Sequence, residues 1–145
     1  MKKLFLLSFL LLFFIGCTST TNDISSVHSE NMSLLSDIIE QHDEVMKKMS
    51  TINSLENDLS NKDVIDSNID LAIKNLKESN MSMMSFMKNF SDQFPYDSYP
   101  MNKKMEEKKL DFYQDINQKL NLKRDEILKI GKQFEESIAK AQELI

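Results

Sequence analysis

The sequence predicts an all-α protein, an antiparallel three-helix bundle of coiled-coil character with an extended third helix. Two observations carry that prediction. Glycine and proline are scarce, two of each in 145 residues, and one glycine, Gly16, falls in the leading segment. Sandwiches, barrels and doubly wound sheets need turn residues at short intervals, so few reversals are available here and the segments between them must be long. Apolar residues also recur at alternating spacings of three and four in three such segments, the period of a helix face. With 41% hydrophobic residues the chain holds one domain's worth of core material.

The leader comes first. Lys2 and Lys3 precede Leu4 to Ile15, apolar throughout except for Ser8. As a helix this run is about 18 Å long, against a bilayer core of ~30 Å, so residues 1–16 read as a signal peptide removed on export. Phe14-Ile15-Gly16-Cys17 then places a small residue directly before the only cysteine of the chain. That arrangement resembles the lipobox of bacterial lipoproteins. The resemblance implies cleavage before Cys17, a diacylglycerol on its sulfur, and palmitate-type acylation there. Each buried methylene adds about 0.8 kcal/mol of membrane affinity, so two chains hold firmly where one does not. The expected localisation is therefore an exported protein anchored by lipid at the cell membrane or outer membrane, with membrane lipid as a partner through Cys17. An alkylated thiol neither pairs nor ligates, which leaves no disulfide framework. Removing Lys2 and Lys3 makes the formal charge of -5 more negative still, a sign that disfavours nucleic acid.

Residues 17–31, with the run Thr18-Ser19-Thr20-Thr21-Asn22 and no sustained apolar period, are expected to be the lipidated cysteine and a flexible tether. Residues 32–145 form the helical bundle domain. Its first segment carries Leu35, Ile38, His42, Val45, Met49, Ile52 and Leu59 on one stripe, widened by Ile39, Met46 and Leu55. The second runs from near Asp63 through Ile65, Ile69, Ala72, Leu76, Met83, Met87 and Phe90 to the sequence Phe94-Pro95-Tyr96. The third is expected to start around Pro100, a favoured first-turn residue, and to keep its stripe from Met105 through Phe112, Ile116, Leu120, Ile127, Ile130, Phe134 and Ile138 to Leu144. Short connections at 60–63 and 95–100 make neighbours antiparallel.

On this division the first two helices have about 28 residues and the third about 44, so the third outreaches them by roughly 24 Å. Gly131 marks the expected bend or weak point, since glycine costs nearly 1 kcal/mol inside a helix. Beyond it, Phe134, Ile138, Ala141 and Leu144 would keep an apolar stripe without a partner among the shorter helices, so that the end either folds back on the bundle or pairs with another chain, a homo-oligomer or an envelope protein, with pairing the preferred reading.

Two chemical features were weighed. Phe86, Phe90, Phe94, Tyr96 and Tyr99 cluster beside Lys103, Lys104, Lys108 and Lys109. Such rings and cations suit a membrane headgroup zone, or else the phenylalanines plug the end of the bundle while the lysines are solvated. His42, Met46 and Met49 share one helical face, as do Met83, Met84 and Met87. Counted back from a turn near residue 61, His42 falls level with Asn80 and close to Met83. Thioether and imidazole donors suit Cu(I), so this set is a candidate soft-metal site. The same stripe equally fits methionine as adaptable core filler, with His42 and Asn80 satisfying each other in the seam. No cofactor other than that copper ion is implied.

The stretch from His42 to Met49, followed by Met83 to Phe90, a loop and a long charged helix, resembles a family of small bacterial lipoproteins labelled "viral A-type inclusion protein". The resemblance implies a helical lipoprotein and brings no activity with it. No glycine-rich phosphate loop, G-x-S-x-G elbow or H-E-x-x-H motif occurs, so no enzymatic reaction is expected. The function expected from the sequence is a membrane-anchored lipoprotein whose bundle serves as a binding or structural module in the cell envelope. The alternative is a copper-binding lipoprotein using the His/Met cluster.

Overall fold

The computed structural model describes residues 19–64 and 66–145. The leader, Cys17 and Ile65 lie outside the described residues, and with them the expected signal peptide and lipidation site. Among the described residues the structure is all helical, with no strand. Four helices form three packed rods: α1 (Ser19–Lys47) continued by α2 (Met49–Ser60), then α3 (Ser67–Gln93) and α4 (Leu110–Gln142). The antiparallel three-helix bundle is thus present, with different bounds.

The first difference is at the amino-terminal end. The segment expected to be a flexible tether is helical from Ser19 onward. Ile24, Val27 and Met32 pack against the core and Asn31 is fully buried, so the apolar stripe of α1 begins about three turns earlier than Leu35. Ser, Thr and Asn lower the helix propensity of this stretch, but tertiary burial of one face decides the outcome. The rod is then interrupted at Lys48, whose N–H bonds back three residues to the Val45 carbonyl at 2.9 Å. Its ammonium reaches the Glu135 carboxylate at 2.6 Å and holds that carboxyl below its ordinary range.

Asp66 caps α3, its carboxylate accepting from the N–H groups of Asn68 (2.8 Å) and Ile69 (2.9 Å), a geometry that satisfies two orphan donors of the first turn. The helix therefore starts at Ser67, later than Asp63. At its other end the Phe94 N–H closes the last turn on the Phe90 carbonyl, and Pro95 follows.

The second difference is the start of α4. Residues 100–109 are not helical. Tyr99 and Pro100 are buried, joined by a cis peptide bond, and Lys103 has a φ of 58°. The Tyr113 hydroxyl donates to the Glu106 carbonyl at 2.7 Å and accepts from the Glu106 N–H at 2.9 Å. Those bonds take the place of a helical turn, and α4 begins at Leu110. Its length is 33 residues, so the expected surplus is absent. Phe134 and Ala141 are fully buried and Ile138 and Leu144 pack against the core. The stripe that was expected to seek another chain has its partner in α3, where the Ser79 and Ser137 hydroxyls meet at 2.8 Å.

α4 lies against all three other helices and is the spine of the bundle. α1 and α4 run parallel: Asn31 bonds the Tyr113 carbonyl, Val45 faces Gly131, and Lys48 meets Glu135. α3 is antiparallel to both. The core comprises Leu34, Leu35, Ile38 and Val45 of α1, Ile52, Leu55 and Leu59 of α2, Leu76, Met83 and Phe86 of α3, and Tyr113, Leu120, Ile127 and Phe134 of α4, among others. Gly131 lies within the uninterrupted α4, and the break in helical structure is at Lys48 instead.

Two outcomes are expected. A Cβ at Gly131 would meet Val45 Cγ2 at 3.5 Å, an ordinary contact, so Gly131→Ala should stabilise the protein by about 0.5–1 kcal/mol, seen as a higher urea midpoint at unchanged slope. Burial pushes the Tyr99 hydroxyl above its ordinary 10.0, partly offset by the bond from Asn31 and reinforced by Tyr113 nearby. The unfolded chain then ionises first, so this contribution is whole below pH 10.0 and is lost as pH rises through the folded-state value. Urea unfolding across that alkaline range should show a steeper decline for the native chain than for Tyr99→Phe.

Candidate functional site

Packing around α4 leaves a gap on the opposite side. Among the described residues no Cα of α1 lies within 8 Å of a Cα of α3, although α2 does pack directly on α3. Helices in direct contact sit 8–10 Å apart axis to axis, so the bundle is closed at the α2 end and open between α1 and α3. Large side chains occupy the opening. Phe86 and Phe90 of α3 and Phe94 just past its end succeed one another at four-residue spacing, with ring centroids 5.7 and 5.0 Å apart, and the Lys123 ammonium stands 5.8 Å from the Phe86 ring centroid.

A groove of about 320 Å³ remains. Ile38, Ile39, His42 and Asp43 form its α1 wall and Phe86, Met87 and Phe90 its α3 wall. It is carbon-lined except at one end, where His42 Nδ1 lies 2.9 Å from the Asp43 carboxylate. A second cavity of about 440 Å³ continues along α1, bounded by Met32, Leu35, Ser36, Ile39 and Lys103. Ile39 lines both, so the two cavities share that side chain as a wall.

Of the six residues singled out for a soft metal, His42 and Met87 line this groove together. Met83 is fully buried in the core, Met84 is 58% exposed, Met46 is more than a third exposed, and Met49 packs against the core from the start of α2. None of these four is among the groove walls. The expected level of His42 with Asn80 fails for a reason of register. Asn80 lies opposite Asn53 (3.4 Å) and Lys77 opposite Glu56 (3.6 Å), pairs centred between residues 66 and 67, whereas the expectation placed the turn near 61. That shift moves Phe90 to the level assigned to Asn80. Among the described residues no group of three or more His, Cys, Asp and Glu is placed to hold a metal ion.

The aromatic cluster divides. Phe86, Phe94 and Tyr99 are buried and Phe90 half-buried, while Tyr96 is 84% exposed. Lys108 lies over the Phe112 ring at 5.8 Å, and Lys103, Lys104 and Lys109 are exposed. The phenylalanines thus fill the bundle, and the lysines of the loop face solvent.

One group was not found from the sequence. Asn31 donates to the Tyr99 hydroxyl and to the Tyr113 carbonyl, both at 3.0 Å, and the Tyr99 hydroxyl lies 3.2 Å from His28 Nδ1. A neutral His28 with its proton on Nε2 accepts from Tyr99, which lets every donor in the chain be used. The spacing Ile24, Val27, Asn31, Leu34 and Ile38 was the available signal, a helical period running back into the polar segment. This network fastens the loop over 94–109 to α1, and so places Lys103 on the wall of the second cavity.

No protein-family model, curated protein or solved structure matches the chain. The chemistry of the site therefore rests on its own side chains: an apolar groove with His42 and Asp43 on its wall, and a neighbouring cavity that shares Ile39 and carries the Lys103 cation. The two kinds of methionine give a direct check. Met83→Ala should cost about 2–5 kcal/mol and Met84→Ala no more than about 0.5 kcal/mol in urea unfolding.

Proposed function

We propose that the chain is a lipid-anchored protein of the bacterial cell envelope whose helical bundle acts as a binding module, with the α1–α3 groove as its binding surface. The observation that carries the anchoring is Gly16-Cys17 at the end of a charged, then apolar, leader. The likeness to small helical lipoproteins points the same way, and the all-helical body agrees with it. The groove supports binding because side chains such as Ile39 and Met87, each more than a third exposed, stand beside buried rings in one continuous trough. An apolar surface of this kind marks an interaction site more often than a scattered single residue does.

Orientation follows from the fold. The loop over 94–109 is bound to His28 and Asn31 of α1, so its exposed lysines lie at the end of the bundle from which the chain runs back to Cys17. The groove accordingly runs from the anchored end, at Lys103, outward to His42 and Asp43.

Anchoring is tested by expressing the full chain in a bacterium and recording membrane pelleting and intact mass. The expected product begins at residue 17, carries a diacylglycerol and acyl mass, and sediments with membranes. Cys17→Ser should abolish that added mass and processing. Identical maturation and pelleting of the serine variant would refute the anchor.

A further inference from the structure

We infer that the α1–α3 groove and the neighbouring cavity, which share Ile39, together take a single-chain anionic amphiphile of fatty-acid type that passes over Ile39, its carboxylate held by Lys103 and its alkyl chain laid along α1 against Ile39, Phe90 and Met87. The inference deepens the binding role proposed above and rests on the groove being that binding surface.

Three features of the trough select this occupant. The first is length: from Met32 to Asp43 the two cavities follow α1 for eleven residues, about 16 Å at 1.5 Å per residue. One leaflet of a bilayer core is half of about 30 Å, so the trough matches one extended acyl chain. The second is lining, since the walls of the α1–α3 groove are aliphatic, thioether and aromatic carbon apart from His42 and Asp43, and those of the neighbouring cavity add Met32, Leu35 and Ile39 beside Ser36, a surface favourable to methylene groups at about 0.8 kcal/mol each. The third is charge. Lys103 is exposed at one end and has no carboxylate within 4.0 Å among the described residues, whereas the other end already carries Asp43 beside His42. An anionic head is therefore drawn to Lys103 and kept from the far end. A cationic amphiphile meets the opposite preference, and an apolar helix has no need of the lysine.

Lys103 also permits a clean variant. Its φ of 58° lies in the left-handed region, which asparagine tolerates better than other residues with side chains, so Lys103→Asn removes the charge without opposing the backbone. Ile39→Glu places a carboxylate on the wall the two cavities share, at a side chain already 39% exposed.

The test uses the full chain as purified from the envelope, reconstituted in vesicles of zwitterionic phospholipid. The probe is a photoreactive long-chain fatty acid, compared with the photoreactive amine of the same chain length. Pelleting with the vesicles is read before irradiation, so a failure of anchoring shows separately from a failure of binding. Cross-links should map to segments 38–43 and 86–90 with the carboxylate probe. The concentration for half-maximal labelling should rise about tenfold in Lys103→Asn, the loss expected for one charge-assisted contact, and labelling there should vanish in Ile39→Glu while the urea midpoint of each variant stays native-like. Equal labelling by the amine, or labelling indifferent to Lys103→Asn, would overturn the assignment. So would a dimer on sedimentation that Ile39→Glu dissociates, which would give the groove to a second copy of the chain.

Discussion

The buried amide of Asn31 ties together the three parts of the chain on which the arrangement of the bundle depends. Its Nδ2 donates to the loop through the Tyr99 hydroxyl and to the first turns of α4 through the Tyr113 carbonyl, while its own backbone belongs to α1. Net contributions of single hydrogen bonds are modest, but a buried donor left without a partner costs about 1–3 kcal/mol. With Asn31 in place, the loop does not form a ten-residue prolongation of α4, and α4 begins where Tyr113 can cap the Glu106 backbone. The parallel register of α1 and α4 then follows, and Gly131 arrives opposite Val45 rather than beyond the end of its neighbours.

The open side of the bundle is a consequence of that register. α4 engages both α1 and α3, and α2 closes on α3, but α1 and α3 are kept apart along the stretch occupied by Phe86 and Phe90. Aromatic rings fill most of the space between these two rods, and what they leave is lined by their edges and by Ile38, Ile39 and Met87. The same side chains that complete the core of a small bundle therefore form the walls of its groove. Phe90, half-buried, belongs to both.

Much of this was legible in the sequence. The scarcity of turn residues and the spacing of Ile38, Val45, Ile52, Leu76, Leu120 and Phe134 give the helices and most of the core, because a repeated apolar period can be buried in few ways. What was missed depends on contacts far apart in the chain. Asn31 and His28 sit in a Ser- and Thr-rich segment that reads as tether until Tyr99 is known to lie against it. Residues 100–109 have helical composition, and only the Tyr113 hydroxyl explains their irregular path. The six metal candidates do not line one groove because a turn counted from 61 is off by five or six residues, which slides each facing pair by about eleven residues, roughly 16 Å along the helix axis. His42 and Met87 were nevertheless both singled out, as was Ile39, and the groove is built around them.

The early start of α1 at Ser19 has a mechanical side. A coil of fifteen residues could pay out on the order of 50 Å of chain, whereas with helix from Ser19 only two peptide links, about 7 Å, separate it from the residue-17 sulfur's own backbone. Any surface that grips residue 17 thus grips a rod with almost no slack. On the proposed anchoring, a displacement at residue 17 meets the first turn of α1 within two residues, where a fifteen-residue coil would have absorbed it.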